Sequence, residues 1–273
     1  MYENEFPQSL REKYHLRHQL EHSKPEIFCI QDRSTEKLWL LKVFEKRRYK
    51  ENYIQTFLNI CYMVQRIKNP YLQQIEDIIE NDRYLFVVLE YIQGETLTDL
   101  VTNEGWQDAE TVIRLGKLVC KMLRELRQYT LPVIYTELDP DKIIYVGGSR
   151  IRLCNYEKLL YDYEYKITGI SSFCAPEEVV YKGIKDERTD IFHIGMLLLY
   201  LALGIDLRKP PHCFIRIHSL IQGIPSSYPH KMKKLICKCI CTDPADRYQN
   251  YEKLHRALKR TEVQIRLNKL LAL

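Results

Sequence analysis

Between Tyr14 and Ile92 the apolar residues come in short, β-prone runs set apart by polar turns. Ile27-Phe28-Cys29-Ile30, Leu38-Trp39-Leu40-Leu41 and Tyr84-Leu85-Phe86-Val87-Val88-Leu89 are rich in side chains that suit a pleated, half-buried surface. Asp32-Arg33-Ser34-Thr35 and Glu80-Asn81-Asp82 supply turn residues between such runs. One stretch differs: Phe57, Ile60, Cys61, Val64 and Ile67 recur at helical spacing, and the run stops before Pro70, which cannot continue a helix. Beyond Gly94 the spacing turns helical. Val112, Leu115, Leu118, Val119 and Leu123 form one stripe, and further helices are predicted over Asp190–Leu203, Lys231–Cys241 and Tyr251–Lys259. A strand-rich part carrying one helix, followed by a larger helical part, is an α+β arrangement. There is no internal repeat and no low-complexity segment.

Composition narrows the class. A chain of 273 residues with 45% hydrophobic and 28% charged residues can form one large domain or two lobes with real cores. The formal charge of +5 is spread along the sequence, and its densest cluster, Lys46-Arg47-Arg48-Tyr49-Lys50, reads as a solvated loop; no nucleic-acid partner is expected. Met1-Tyr2-Glu3-Asn4-Glu5 carries acids and no apolar core of a secretory signal. The longest near-apolar stretch, Ile194–Ile205, is too short to span a bilayer and suits a buried helix. Nine cysteines without a pairing framework fit a reducing, cytoplasmic setting. Only Cys237 and Cys241 of the alternating Cys237, Cys239 and Cys241 would share a helix face, and no histidine lies at ligand spacing, so buried thiols are expected there and not a zinc site.

Seven short motifs, in order, resemble the signature set of the protein kinase superfamily over roughly residues 13–260. Leu40-Leu41-Lys42-Val43 is similar to the strand with the phosphate-pairing lysine. Val88-Leu89-Glu90-Tyr91-Ile92-Gln93-Gly94 resembles the hinge, with Leu89 at the gatekeeper place. Tyr135 to Ile144 lies where the catalytic loop belongs, Asn155-Tyr156-Glu157 at the Asp-Phe-Gly place, and Ala175-Pro176-Glu177 matches the end of the activation segment. Asp190 to Gly195 resembles the start of the central helix, and Asp243-Pro244-Ala245-Asp246-Arg247 the late motif whose arginine pairs with Glu177. The resemblance implies a two-lobed protein-kinase-like fold: a small β-rich N-lobe with one helix over residues 13–92 and a larger helical C-lobe over 93–260. Residues 1–12 would then be an N-terminal extension and 261–273 a C-terminal tail. The compact, insert-free layout is similar to bacterial kinase domains.

The resemblance also shows which chemistry is missing. In this family phosphoryl transfer is mostly positioning and charge neutralisation. The segment Leu20 to Phe28 matches the glycine-rich loop but has no glycine, adds Pro25 and carries Glu21 and Glu26 where phosphates would approach. Mg²⁺ prefers hard, charged oxygens, yet Asn155 replaces the ligand aspartate and Lys142 the ligand asparagine. Lys142 is expected to pair with Asp139 or Asp141, or else to offer its charge to a phosphate. Glu137 replaces the aspartate base, and Asp139 stands where a lysine approaches the transferred phosphate; like charges about 4 Å apart repel by about 4 kcal/mol at an intermediate dielectric. Removing Glu137 or Asp139 is therefore expected to be neutral or stabilising. Ile60 occupies the place of the glutamate that anchors Lys42, and Thr136 that of the arginine that binds an activation-loop phosphate. By the family register Phe28, Leu40, Lys42, Leu89, Tyr91 and Ile144 surround the residual nucleotide pocket, where bulky side chains either fill the cavity or form a greasier one.

Structural positions persist: Val64, Ile75, Tyr135 and Tyr156 at the places of the hydrophobic column, Glu177 and Arg247 as an ion pair, and Asp190 as a holder of catalytic-loop backbone. The resemblance thus implies a pseudokinase, a regulatory or scaffolding module for a protein partner, without phosphotransfer, metal or membrane span, and with ATP binding weak or absent. The alternatives are an atypical Ser/Thr kinase-like enzyme using Lys42, Glu137 and Glu157, and a nucleotide sensor without turnover. Tyr161, Tyr163 and Tyr165 alternate with Asp162 and Glu164, so an extended conformation would align three rings as a partner-binding face, or as packing onto the domain itself.

Overall fold

The computed structural model describes residues 6–21, 25–129, 138–155, 173–180, 186–205, 207 and 219–271. The chain forms two compact units, the first running to Gln93 and the second starting at Gly94.

The first unit is a five-stranded antiparallel sheet of β1 (Tyr14–Glu21), β2 (Glu26–Asp32), β3 (Leu38–Glu45), β4 (Ile75–Glu80) and β5 (Tyr84–Glu90), in the order β1-β2-β3-β5-β4. Strands β3 and β5 are apolar nearly throughout instead of alternating, because both faces of the sheet are covered. On one face Phe28, Ile30, Trp39, Leu41, Val43, Phe86 and Val88 pack against Phe6, Tyr14 and Leu10 of helix α1 (Gln8–Lys13). Phe6 meets Phe28 and Phe86 edge-on at centroid distances of 5.6 and 6.0 Å. The Tyr14 hydroxyl and the Lys13 ammonium both reach Asp77 on β4. Phe6 and Leu10, expected within an N-terminal extension, are therefore part of the core and cover this face of the sheet. On the opposite face Phe44 packs on Phe57 of helix α2 (Glu51–Arg66) at 5.0 Å. Helix α2 buries Ile54, Phe57, Leu58, Ile60, Cys61 and Val64, the helical stripe visible in the sequence.

In the second unit β6 (Glu95–Thr96), β7 (Ile143–Gly147) and β8 (Arg150–Leu153) form a small antiparallel sheet. Gly94 sits so close to it that a Cβ would come within 2.5 Å of the Tyr145 carbonyl oxygen. The helices are α3 (Leu97–Glu104), α4 (Ala109–Leu126), α5 (Pro176–Val180), α6 (Glu187–Leu203), α7 (His230–Cys239) and α8 (Tyr251–Leu271). Thr96 and Asp99 close a capping box on α3, and Asp108 caps α4 by accepting from the Thr111 N–H. Helix α6 is buried from Thr189 to Ala202, as its lack of a polar face demands. It ends at Gly204, whose φ of 64° supplies the left-handed cap.

Residues 261–271, expected within a C-terminal tail, are the continuation of α8, with Thr261 and Ile265 buried. Cys239 is buried, whereas Cys237 and Cys241 are half-buried and joined by a Cys241 Sγ–H donating to the Cys237 carbonyl at 3.4 Å. Among the described residues no cluster of side chains suits a metal, and no helix is long and apolar enough to cross a membrane.

Candidate functional site

In the first unit the site is built on one sheet face. Neighbours across antiparallel strands share a face, so the pairs Ile27 with Lys42, Cys29 with Leu40, and Leu40 with Leu89 place these five side chains together. Lys42 is 2% exposed. Phe44 continues the same face toward α2, where Ile60 is buried in the apolar stripe at the place expected for an anchoring glutamate. Tyr91, just beyond β5, is half-buried, and Val64 and Ile75 are buried.

Phe28 requires a correction. It pairs with Leu41 and belongs to the cluster under α1, on the face opposite Lys42. A strand turns successive side chains to opposite faces, so a register shifted by one residue exchanges the whole set. Ile27 and Cys29 take the place expected of Phe28. Counting in steps of two from Lys42 through the β2–β3 pairing would have found them.

In the second unit the region is a turn joined to a strand end. Pro140–Lys142 forms a 3-10 turn, and the Asp139 carboxylate caps it by accepting from the Asp141 N–H at 2.9 Å. The Lys142 N–H donates to the Asp139 carbonyl at 2.9 Å, and its own carbonyl accepts from the Cys154 N–H at 2.8 Å. The Lys142 side chain is 2% exposed. Asn155 has a φ of 54°, a left-handed backbone that asparagine tolerates better than most residues. Its Nδ2 donates to the Asp141 carbonyl at 2.8 Å, and the Cys154 thiol approaches the same oxygen at 3.5 Å. Positions 142 and 155, one turn and one strand end, are thereby stitched together. Ile144 on β7 is half-buried and pairs with Arg152 on one side and Thr96 on the other.

Against the expectation that loss of Asp139 would be neutral or stabilising stands this cap, a hydrogen bond that its removal would forfeit. An ionised aspartate at position 155 could not make the Asn155 bond, since a carboxylate has no hydrogen to donate.

Deeper in this unit Arg247 and Glu177 form a bidentate pair, Nη1 to Oε1 at 2.7 Å and Nη2 to Oε2 at 2.8 Å. Arg247 also donates to the carbonyls of Cys241, Arg188 and Thr242, and its guanidinium lies 4.8 Å from the Phe192 ring centroid. Burial pushes the Glu177 carboxyl up, but Arg247 and the Thr189 hydroxyl outweigh it and hold the group below its ordinary value. Asp190 accepts from Arg127 Nη1 at 2.7 Å and from the Tyr251 hydroxyl, while burial pushes its carboxyl above the usual range. Behind these, His193 Nε2 lies 2.8 Å from Glu178 Oε2, both buried. Arg127, Tyr251, Glu178 and His193 carried no signal in the sequence beyond being polar within helical runs.

Tyr135, Thr136, Glu137, Tyr156, Glu157, Tyr161, Tyr163 and Tyr165 lie outside the described residues, and so does the expected hold of Asp190 on the catalytic-loop backbone.

A family model described as the protein kinase domain matches residues 25–258. A probable serine/threonine-protein kinase of Clostridium perfringens is 22% identical over 219 residues, covering 75% of this chain and 31% of its own. Serine/threonine-protein kinase PknL of Mycobacterium tuberculosis is 24% identical over 226 residues, covering 76% of this chain and 55% of its own. This chain therefore spans about a third to a half of the length of these curated relatives. Among solved structures, the kinase domain of Mycobacterium tuberculosis PknI superposes with a TM-score of 0.66 at 18% identity, over 91% of this chain and 95% of that one.

Proposed function

Because this chain belongs to the protein kinase domain family yet holds an amide and an ammonium where metal ligands are expected, we propose that it is a pseudokinase. In this reading it is a cytoplasmic regulatory or scaffolding module that binds a protein partner and transfers no phosphate. The observation that carries the reading is Asn155. Its amide is committed to the Asp141 carbonyl, and the backbone bond from Cys154 to Lys142 brings a lysine to the neighbouring ligand position. Mg²⁺ takes hard oxygens and sheds its waters reluctantly, and an ammonium cannot ligate it. The residues present do not fit Mg·ATP, so no phosphotransfer step is derived for them. The relatives' names carry the activity of serine/threonine kinases; this reading sets against them the residue types that Asn155 and Lys142 offer a metal.

One observation favours a second reading. Lys42 remains buried on the sheet face shared with Ile27, Cys29, Leu40 and Leu89, an arrangement suited to a nucleotide bound without metal. Thermal melting with ATP, with and without Mg²⁺, separates the two. The pseudokinase reading expects about 1 mM ATP to stabilise the fold by less than about 0.5 kcal/mol in either condition. A shift of several degrees that needs Mg²⁺ would refute it, and one that ignores Mg²⁺ would favour the nucleotide sensor.

A further inference from the structure

Helix α8 carries apolar side chains on two sides, and among the described residues one side is buried and the other exposed. Leu254, Leu258, Thr261 and Ile265 point inward and are buried. Two ion pairs, Lys117 with Glu262 and Lys269 with Glu110 at 2.6 Å, pin this side of the helix along α4. On the outward side Val263, Leu267 and Leu270 are 56%, 52% and 69% exposed.

Their spacing continues upstream. Lys253, Arg256, Arg260, Val263, Leu267 and Leu270 follow one another at alternating intervals of three and four residues, and all six are exposed. That interval is the seam by which one helix packs along another. The first three positions of this seam are cationic and the last three apolar. Beside it, Lys259 and Arg266 occupy one flank, the place from which charged side chains select a partner helix. Within the helix Glu252 lies 3.9 Å from Arg256, and Glu262 pairs with Lys117 and Arg266, whereas Lys253, Lys259 and Arg260 face no carboxylate among the described residues and are the cations left for a partner. Burial first, then Lys259 of the same helix and Arg124, Lys117 and Lys121 of α4, lower the His255 imidazole below its ordinary value.

We propose that the outward seam of α8 is a docking surface for a partner helix that is acidic along one half and apolar along the other. The inference rests on the protein-binding reading above and names the chemistry of the partner. A second copy of this chain does not match. In a parallel pair arginine would face arginine, and in an antiparallel pair Lys253, Arg256 and Arg260 would face Leu270, Leu267 and Val263 and lose water without gaining a counter-charge. A bilayer matches less well than a helix. On a helix lying in a membrane surface the cations belong to the polar face, whereas here they share one seam with the apolar residues.

The test uses the whole chain and synthetic helical peptides of about three heptads. One peptide carries glutamate at the seam positions of its first half and leucine in its second, the other the reverse order, and a scrambled sequence serves as control. One of the two orders is expected to bind with a Kd near micromolar by fluorescence anisotropy, about tenfold or more tighter than the control. Leu267→Asp with Leu270→Asp should weaken binding about tenfold or more and leave the melting temperature unchanged, since both side chains are exposed. Arg256→Glu with Arg260→Glu should lose the glutamate peptide and gain a lysine-bearing version of it. Peptides no better than the scrambled control, or binding indifferent to both variants, would overturn the proposal. So would a dimer in sedimentation, or adsorption to phosphatidylserine vesicles, that Leu267→Asp with Leu270→Asp abolishes. A Mg²⁺-dependent ATP shift would refute the pseudokinase reading and leave the peptide result standing, whereas inert peptides would remove only the α8 assignment.

Discussion

Arg247 shows what one side chain contributes when every donor is used. Its guanidinium faces both oxygens of Glu177, three backbone carbonyls and the Phe192 ring, all out of water. Replacing it leaves Glu177 as a buried charge held by the Thr189 hydroxyl and a backbone N–H, and removing one partner of such a pair costs about 3 kcal/mol or more. Arg247→Ala should therefore lower stability in urea melts by about that much, and Arg247→Lys should rescue little of it, since an ammonium cannot span two carboxylate oxygens. The deficit also has a pH signature. Glu177 has its folded value lowered, so its contribution is present above the ordinary value of 4.5 and is lost as pH falls through the lower folded one. Below that range the gap between wild type and Arg247→Ala should narrow, leaving the share due to the carbonyl bonds and the Phe192 contact. Asp139→Ala, which removes a single cap, should cost only about 1 kcal/mol. Equal effects from the two variants would contradict this division between a buried network and a single turn cap. The Glu177–Arg247 pairing was legible in the sequence because both residues sit in short motifs with fixed neighbours. The Asp190–Arg127–Tyr251 contacts were not, because their members are 61 and 63 residues apart and nothing local distinguishes them.

At the scale of elements, strand positions were legible and strand faces were not. Runs such as Leu38 to Phe44 are apolar on both sides, so period-two alternation, the usual guide to which side chain faces what, is absent. That is why Phe28 was expected beside Lys42 when the β2–β3 pairing puts Ile27 and Cys29 there. The reason both faces are apolar lies at the start of the chain, in Phe6, Leu10 and Tyr14, which look like ordinary surface-tail residues until the sheet is assembled. Their packing is testable. Phe6 is 4% exposed between Phe28 and Phe86, and truncating a buried phenylalanine costs about 3 to 5 kcal/mol. Phe6→Ala should show that loss in a thermal melt, whereas Phe6→Leu, which keeps most of the volume, should recover much of it. A neutral Phe6→Ala would mean that the outer sheet face does not depend on α1. Helix α8 repeats the lesson. Its inward stripe announced a helix, but the outward seam carries cations in its first half and so gave no apolar periodicity across Tyr251–Lys259.

For the whole molecule, the family's frame persists, and in the pseudokinase reading the residues at its reaction positions have taken on other work. Asp139 caps a turn, Asn155 ties a strand end to that turn, and Ile60 is part of the apolar stripe of α2. Each is a local gain that a catalytic residue in the same place would forfeit. Restoring the chemistry by substitution should therefore cost stability. Asn155→Asp exchanges a donated hydrogen bond for a carboxylate against the Asp141 carbonyl, an error worth about 1 to 3 kcal/mol. Asp139→Lys removes the cap, for about 1 kcal/mol more. The combined variant with Lys142→Asn and Glu137→Asp should melt well below wild type, at roughly 2 to 4 °C for each kcal/mol lost in a chain of this size. It should also show no Mg²⁺-dependent stabilisation by ATP, because the glycine-free loop and Ile60 remain. The measurement is a pair of melting curves, with ATP alone and with ATP and Mg²⁺. A restored variant that is as stable as wild type and gains several degrees only when both are present would mean that the four positions are idle, not reassigned. In that case the chain would be a kinase lacking a few residues, and the scaffold reading would lose its physical basis.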